Sequence, residues 1–185
     1  MKMGLRVGVR CLSLPRLPVL HAYLPTSITA FGFVTLCPLS TPYTSHSTVY
    51  NIFQGIVNNG YYGTGSFEIR MGNENGGTAL GGGVLTASNA QAWDQTKLPA
   101  PLNKWNHVIM TYDGSKLDIY LNKVAIKDSS TRDKGRMLTK NTPLVIGQAG
   151  PGTSGEFFYG YIKEVKIWGR ALSPTDVAKE FQITR

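Results

Sequence analysis

From Ser27 onward, β-branched and aromatic residues alternate with polar ones in short runs, and clusters of Gly, Asn, Pro and Ser separate the runs. Short runs with a period of two mark strands whose side chains point to alternate faces of a sheet. The pattern predicts strands near Ile28 to Leu36, Thr48 to Ile56, Ser66 to Met71, Gly83 to Thr86, Trp105 to Tyr112, Lys116 to Leu121, Leu144 to Ile146 and Phe157 to Trp168. No internal repeat of fixed period is present in the sequence, which speaks against a solenoid or propeller.

The clearest local unit is the hairpin from Trp105 to Val124. Its turn is Tyr112-Asp113-Gly114-Ser115, where glycine can take the positive φ that side chains resist. On the second strand Leu117, Ile119 and Leu121 share one face, and Asp118 and Tyr120 share the other, so one face is expected to pack and the other to be solvated. Near the C-terminus Phe158, Gly160 and Ile162 alternate, but Val165 and Ile167 fall one residue out of phase. A β-bulge near Lys163 and Glu164 would restore their inward direction. Ser173-Pro174-Thr175-Asp176 then supplies an N-cap serine, a proline at the first helical position and an acid in the first turn, with Val177 and Phe181 at helical spacing. A short helix closes the domain.

Composition agrees with an all-β reading. In 185 residues with 42% apolar content there is material for one core, while charged residues at 16%, with Gly 21 and Pro 10, suit strands and turns better than helical bundles. The net charge of +8 is unevenly spread. Lys2, Arg6, Arg10 and Arg16 precede the first acid, Glu68, so the 19 basic residues less these four leave 15 against all 11 acids, a balance of +4. The densest basic run, Lys123, Lys127, Arg132, Lys134, Arg136 and Lys140, is broken by Asp128 and Asp133 and reads as a solvated loop, which disfavours a nucleic-acid partner.

Cys11 and Cys37 are too few for a disulfide framework and lack metal-ligand spacing. No apolar run reaches the roughly 20 residues that span a bilayer, the best being Leu17 to Leu24 and Ile28 to Cys37. Residues 1–24 form a basic, acid-free segment that reads either as a signal or transit peptide or as a misassigned gene start, leaving residues 25–185 as the domain. There is no Asn-x-Ser/Thr sequon to support secretion.

Two ordered stretches carry a family resemblance. Lys104-Trp105-Asn106-His107-Val108-Ile109-Met110-Thr111-Tyr112-Asp113-Gly114, continuing through Leu117 to Asn122, resembles the central hairpin of the laminin G-like, concanavalin A-like jelly rolls. Gly160 to Trp168, followed by Arg170-Ala171-Leu172-Ser173-Pro174, resembles the closing strand and helix cap of that family. Ile28 to Val34 would stand for an opening strand, with phenylalanine where tryptophan is usual, and the strand that normally precedes it has no convincing counterpart in residues 1–24. The resemblance implies an antiparallel two-sheet β-sandwich, a jelly roll, with one short C-terminal helix. It also implies a lectin-like recognition module, extracellular or secreted, whose partner is a glycan or glycoprotein.

Glycanases of this fold carry an E-x-D-x-E run along one strand. No such run exists here, and Glu68, Glu74 and Asp118 read as exposed charges or turn formers rather than as catalytic acids. His107 reads as a structural residue whose ring packs at the start of its strand, and Trp105 and Trp168 read as core. Gly72 to Gly83 lacks the lysine of a phosphate loop and reads as a mobile loop. Sugar recognition combines aromatic faces with amides and carboxylates. The ligand-binding candidates are Trp93, Asp94, Tyr61, Tyr62 and Asn89, with Asn58, Asn59 and Gln91 of suitable type nearby. Calcium is a possible cofactor, with Asp94 the candidate ligand and Asp113, Asp128 and Asp133 as further oxygen donors. The expected function is therefore non-catalytic glycan recognition. The alternatives are a protein-interaction or structural sandwich and, less favoured, a glycoside hydrolase-like domain.

Overall fold

A computed structural model of the chain describes residues 4–7, 33–38, 53–59, 67–72, 79–86, 91–126, 135–138, 142–148 and 157–183. Eleven strands and one helix follow in order: β1 (Gly4–Val7), β2 (Phe33–Pro38), β3 (Phe53–Asn58), β4 (Phe67–Gly72), β5 (Ala79–Leu85), β6 (Gln91–Pro99), β7 (Asn106–Tyr112), β8 (Leu117–Leu121), β9 (Val124–Ile126), β10 (Val145–Ile146), β11 (Gly160–Trp168) and α1 (Pro174–Ile183). They form a six-stranded sheet, β1-β11-β2-β7-β8-β9, and a five-stranded sheet, β10-β3-β4-β5-β6. Every pairing within the sheets is antiparallel.

The core lies between the two sheets, as alternation requires. Phe67, Ile69 and Met71 of β4 and Leu80 and Val84 of β5 meet Val108, Met110 and Tyr112 of β7, Leu117, Ile119 and Leu121 of β8, and Ile162, Val165 and Ile167 of β11. The expected bulge is present: β11 slips in register against β2 between Ile162 and Glu164, and this turns Val165 and Ile167 back inward. Gly82 of β5 lies hard against the facing sheet, for a Cβ there would stand 2.5 Å from Met110 Sδ and 3.3 Å from Ile119 Cδ1.

The Asp113–Gly114 turn forms as expected. Gly114 has φ +93, and Asp113 Oδ1 accepts the N–H of Ser115 at 2.8 Å, the N–H of Lys116 at 2.7 Å and the Ser115 hydroxyl at 2.8 Å. Burial alone would raise this carboxyl's pKa, but the three donors outweigh it and hold the pKa below the ordinary carboxylate value. A second tight turn, missed from sequence, places Asn122 (φ 49) and Lys123 (φ 68) in the left-handed region and adds β9 beyond β8. Asn122 Oδ1 accepts the His107 N–H at 2.9 Å, and the Asn122 N–H returns to His107 O at 2.8 Å.

Several expectations need correction. The stretch expected as a mobile loop up to Gly83 is in part strand, because β5 begins at Ala79 and pairs with both β4 and β6. Strand β6 lies between the strands expected at Gly83 to Thr86 and Trp105 to Tyr112, where the alternation predicted none. Residues 4–7 run antiparallel to β11, from Gly4 opposite Trp168 to Val7 opposite Val165. The second face of β8 is not simply solvated: Tyr120, with Ile109, Leu172 and Val177, forms a smaller cluster under α1. Trp168 packs against this cluster, whereas Trp105, expected in the core, is 48% exposed just before β7.

Candidate functional site

Helix α1 occupies the outer face of the six-stranded sheet, and its anchoring is local chemistry. Ser173 caps it reciprocally: Ser173 Oγ accepts the Asp176 N–H at 3.2 Å, while Asp176 Oδ2 accepts the Ser173 N–H at 3.1 Å and the Ser173 hydroxyl at 2.9 Å. Arg170, 2.7 Å from the same Oδ2, is the main reason that the Asp176 carboxyl is held well below the usual carboxylate range, and the Ser173 bonds add to it. Beneath the helix, Lys166 lies 3.0 Å from Glu180 of α1 and 3.5 Å from Glu164. His107 is buried with its ring edge-on to Phe181, centroids 5.4 Å apart. Burial first and the nearby Lys166 charge second push its pKa down to about 3. The ring of His107 thus packs at the start of its strand.

The acids are committed in the same manner. Glu68 is not the exposed charge expected from sequence: it is 6% exposed, and its Oε1 lies 3.8 Å from the guanidinium of Arg70, which is 9% exposed. Asp118 pairs with Lys116 at 2.9 Å, and Asp113 serves its turn. Each carboxylate whose side chain is described is thus bound to a cation or to backbone and hydroxyl donors. Among the described residues, no three His, Cys, Asp or Glu side chains gather closely enough to hold a metal ion.

Trp93 and Asp94 occupy consecutive register positions in β6, opposite Gly83 and Gly82. Tyr61, Tyr62 and Asn89 lie outside the described residues, as do Glu74, Asp128 and Asp133. Asn58 and Asn59 are buried tethers: Asn58 Nδ2 donates to Gln148 O at 2.6 Å, Asn59 Nδ2 donates to Thr142 O, and the Thr142 hydroxyl donates to Asn59 O at 2.8 Å.

A constellation that sequence reasoning missed lies at the β3 side of the five-stranded sheet. Phe157 is 40% exposed and Tyr159 41% exposed, while Phe158 between them enters the core. Phe157 bridges Gly55 and Gln148, and Gln54 Oε1 accepts the Tyr159 N–H at 2.8 Å. The signal was present in the sequence, because the inward alternation of Phe158, Gly160 and Ile162 places Phe157 and Tyr159 on the opposite side.

No curated protein matches the chain. Among solved structures it is similar to the CBM40 of the Ruminococcus gnavus IT-sialidase, with TM-score 0.61, 14% identity, and coverage of 86% of this chain and 85% of that one. That CBM40 has also been solved bound to α2,3-sialyllactose. The chain is similar too to the binding domain of Paraclostridial Mosquitocidal Protein 1, with TM-score 0.60, 18% identity, and 84% of this chain on 36% of that one. The receptor binding domain of botulinum neurotoxin type G gives TM-score 0.58, 16% identity, and 84% of this chain on 38% of that one. The chain therefore spans little more than a third of either toxin domain's length. At these identities the likeness is one of fold. The sequence profile of the concanavalin A-like lectin/glucanases superfamily matches residues 40–178, most of the chain, and in agreement with the two-sheet sandwich the protein belongs to that superfamily.

Proposed function

We propose that this chain is a non-catalytic module that binds glycans or glycosylated surfaces outside the cell. The observation that carries the reading is the use of the carboxylates. A glycosidase needs two carboxyl groups flanking a bond, one with a raised pKa. Here the described acids close a turn, cap a helix or neutralise Arg70, Lys116, Lys166 and Arg170. Membership of a lectin and glucanase superfamily without that pair among the described residues favours its binding branch, and the fold neighbour solved with sialyllactose supports the same direction. The test is a glycan array with the purified chain, run beside a hydrolysis assay on the array hits. Binding without turnover is the expected result, and turnover of a bound oligosaccharide sinks the non-catalytic reading.

Calcium assistance through Asp94 is a separate proposal. Calorimetric titration of wild type and Asp94→Ala checks it, and equal heats for the two remove it. A protein-interaction reading is favoured by exposed Leu102 and Trp105 in the short loop before β7. On the glycan reading, Trp105→Ala leaves array binding unchanged.

A further inference from the structure

The segment Phe157 to Tyr159 is fixed along its length by backbone and amide contacts. Phe157 pairs with Gly55 of β3 and with Gln148, the Phe158 N–H donates to Gly147 O at 2.9 Å, and the Tyr159 N–H donates to Gln54 Oε1 at 2.8 Å. Phe158 inserts into the core between the sheets and sets the direction of its neighbours. Two rings two positions apart on an extended chain stand roughly 7 Å apart on the same side. Both are partly exposed, so the surface they present is aromatic and already ordered.

Beside them the polar groups are amides. Gln54 is half-buried, and its bond to Tyr159 uses only Oε1, while Nε2 carries two N–H donors. The described groups bonded or bridged to the segment come from Gln54, Gly55, Gly147 and Gln148, none of them ionisable. Such a surface matches a ligand with one apolar C–H face, hydroxyl or ether oxygens at its edge, and no charge to be balanced.

We propose that Phe157 and Tyr159 form a stacking platform for the apolar face of a neutral pyranose, with Gln54 Nε2 donating a hydrogen bond to an oxygen at the sugar's edge. The inference rests on the glycan-binding reading above and adds to it a place and a ligand class. The platform uses the edge of β3 and the approach to β11, and β6 is the strand of the five-stranded sheet farthest from β3 on its other side.

The experiment begins with an array of glucose, galactose, mannose and N-acetylglucosamine oligomers, with and without terminal sialic acid. Calorimetry with the strongest soluble neutral hit follows. Phe157→Ala and Tyr159→Ala are each expected to weaken binding about tenfold. Tyr159→Phe keeps the ring and is expected to stay within about twofold of wild type. Gln54→Glu keeps an oxygen for the Tyr159 N–H and loses the two donors, for an expected loss of about fivefold. Because a variant could perturb the edge, the unmutated protein supplies a second readout: in NMR spectra the Gln54 side-chain amide and the Phe157 and Tyr159 backbone amides shift on addition of the hit sugar. Alanine variants that bind as tightly as wild type, or an absence of those shifts, overturn the platform and leave the glycan reading standing. Binding confined to sialylated glycans overturns the neutral assignment. A silent array overturns both.

Discussion

Gly82 shows how one residue can be unreadable alone and fully explained by its surroundings. It lies in a run of three glycines, which in a sequence signals a loop or a weak strand. In the fold it is the point where β5 passes Met110 and Ile119 with no room for a methyl group: an added Cβ would stand 2.5 Å from Met110 Sδ and 3.3 Å from Glu68 O. Gly82→Ala is expected to lower stability by roughly 1–3 kcal/mol through overpacking. Urea unfolding checks this, as a lower midpoint with an unchanged slope, and a wild-type midpoint would show that Met110 yields without cost. Trp105 is the opposite case. Its large side chain predicts burial, yet it sits one residue before β7 and outside the sheet interface. Size states what a residue gains by burial, and only the chain path states whether burial is on offer.

Among the elements, α1 is the one most fully written in local sequence. Ser173, Pro174 and Asp176 are recognisable before any coordinates, because capping is settled within four residues. Ser173→Ala is expected to cost about 1 kcal/mol, seen as a lower thermal midpoint. The docking of the helix was less legible, since it joins Phe181 and Glu180 to His107 and Lys166 across the sheet. It also has a pH signature. His107 is held at about 3 in the fold against an ordinary value of 6.5, by burial and then by Lys166. The unfolded chain therefore binds the proton that the folded one refuses. The stability associated with neutral His107 is complete above pH 6.5 and is lost as pH falls toward 3, by up to roughly 1.4 kcal/mol per pH unit. Asp113 and Asp176, with lowered pKa values, add their own losses below the ordinary carboxylate value of 3.8. Among the described residues, the slope between pH 6.5 and 4 is expected to belong to His107. Denaturant unfolding of wild type and His107→Gln across that range checks it, and equal slopes would contradict it.

For the whole molecule, the six-stranded sheet is closed at one side by β1, whose four residues pair with β11. Removing residues 1–7 exposes that edge of β11, and exposed strand edges recruit other strands. The shortened chain is expected to unfold at a lower temperature and to scatter more light at equal concentration. Equal thermal midpoints and a monodisperse solution would show that β1 contributes nothing. The sandwich, the Asp113–Gly114 hairpin, the bulge after Ile162 and the final helix were all legible in the sequence, because period, turn chemistry and capping act over a few residues. Other features were not legible: the pairing of Gly4–Val7 with β11, the start of β5 at Ala79 ahead of the expected Gly83, the strand Gln91–Pro99, the burial of Glu68 beside Arg70, and the placement of Gln54 beside Phe157 and Tyr159. Each depends on contacts between segments far apart in the chain. The sequence by itself determined that alternating strands must bury one face against another layer, since apolar faces leave water wherever the chain permits. Which acids are neutralised, which rings remain in solvent and which amide stands beside them was decided only when the two sheets met.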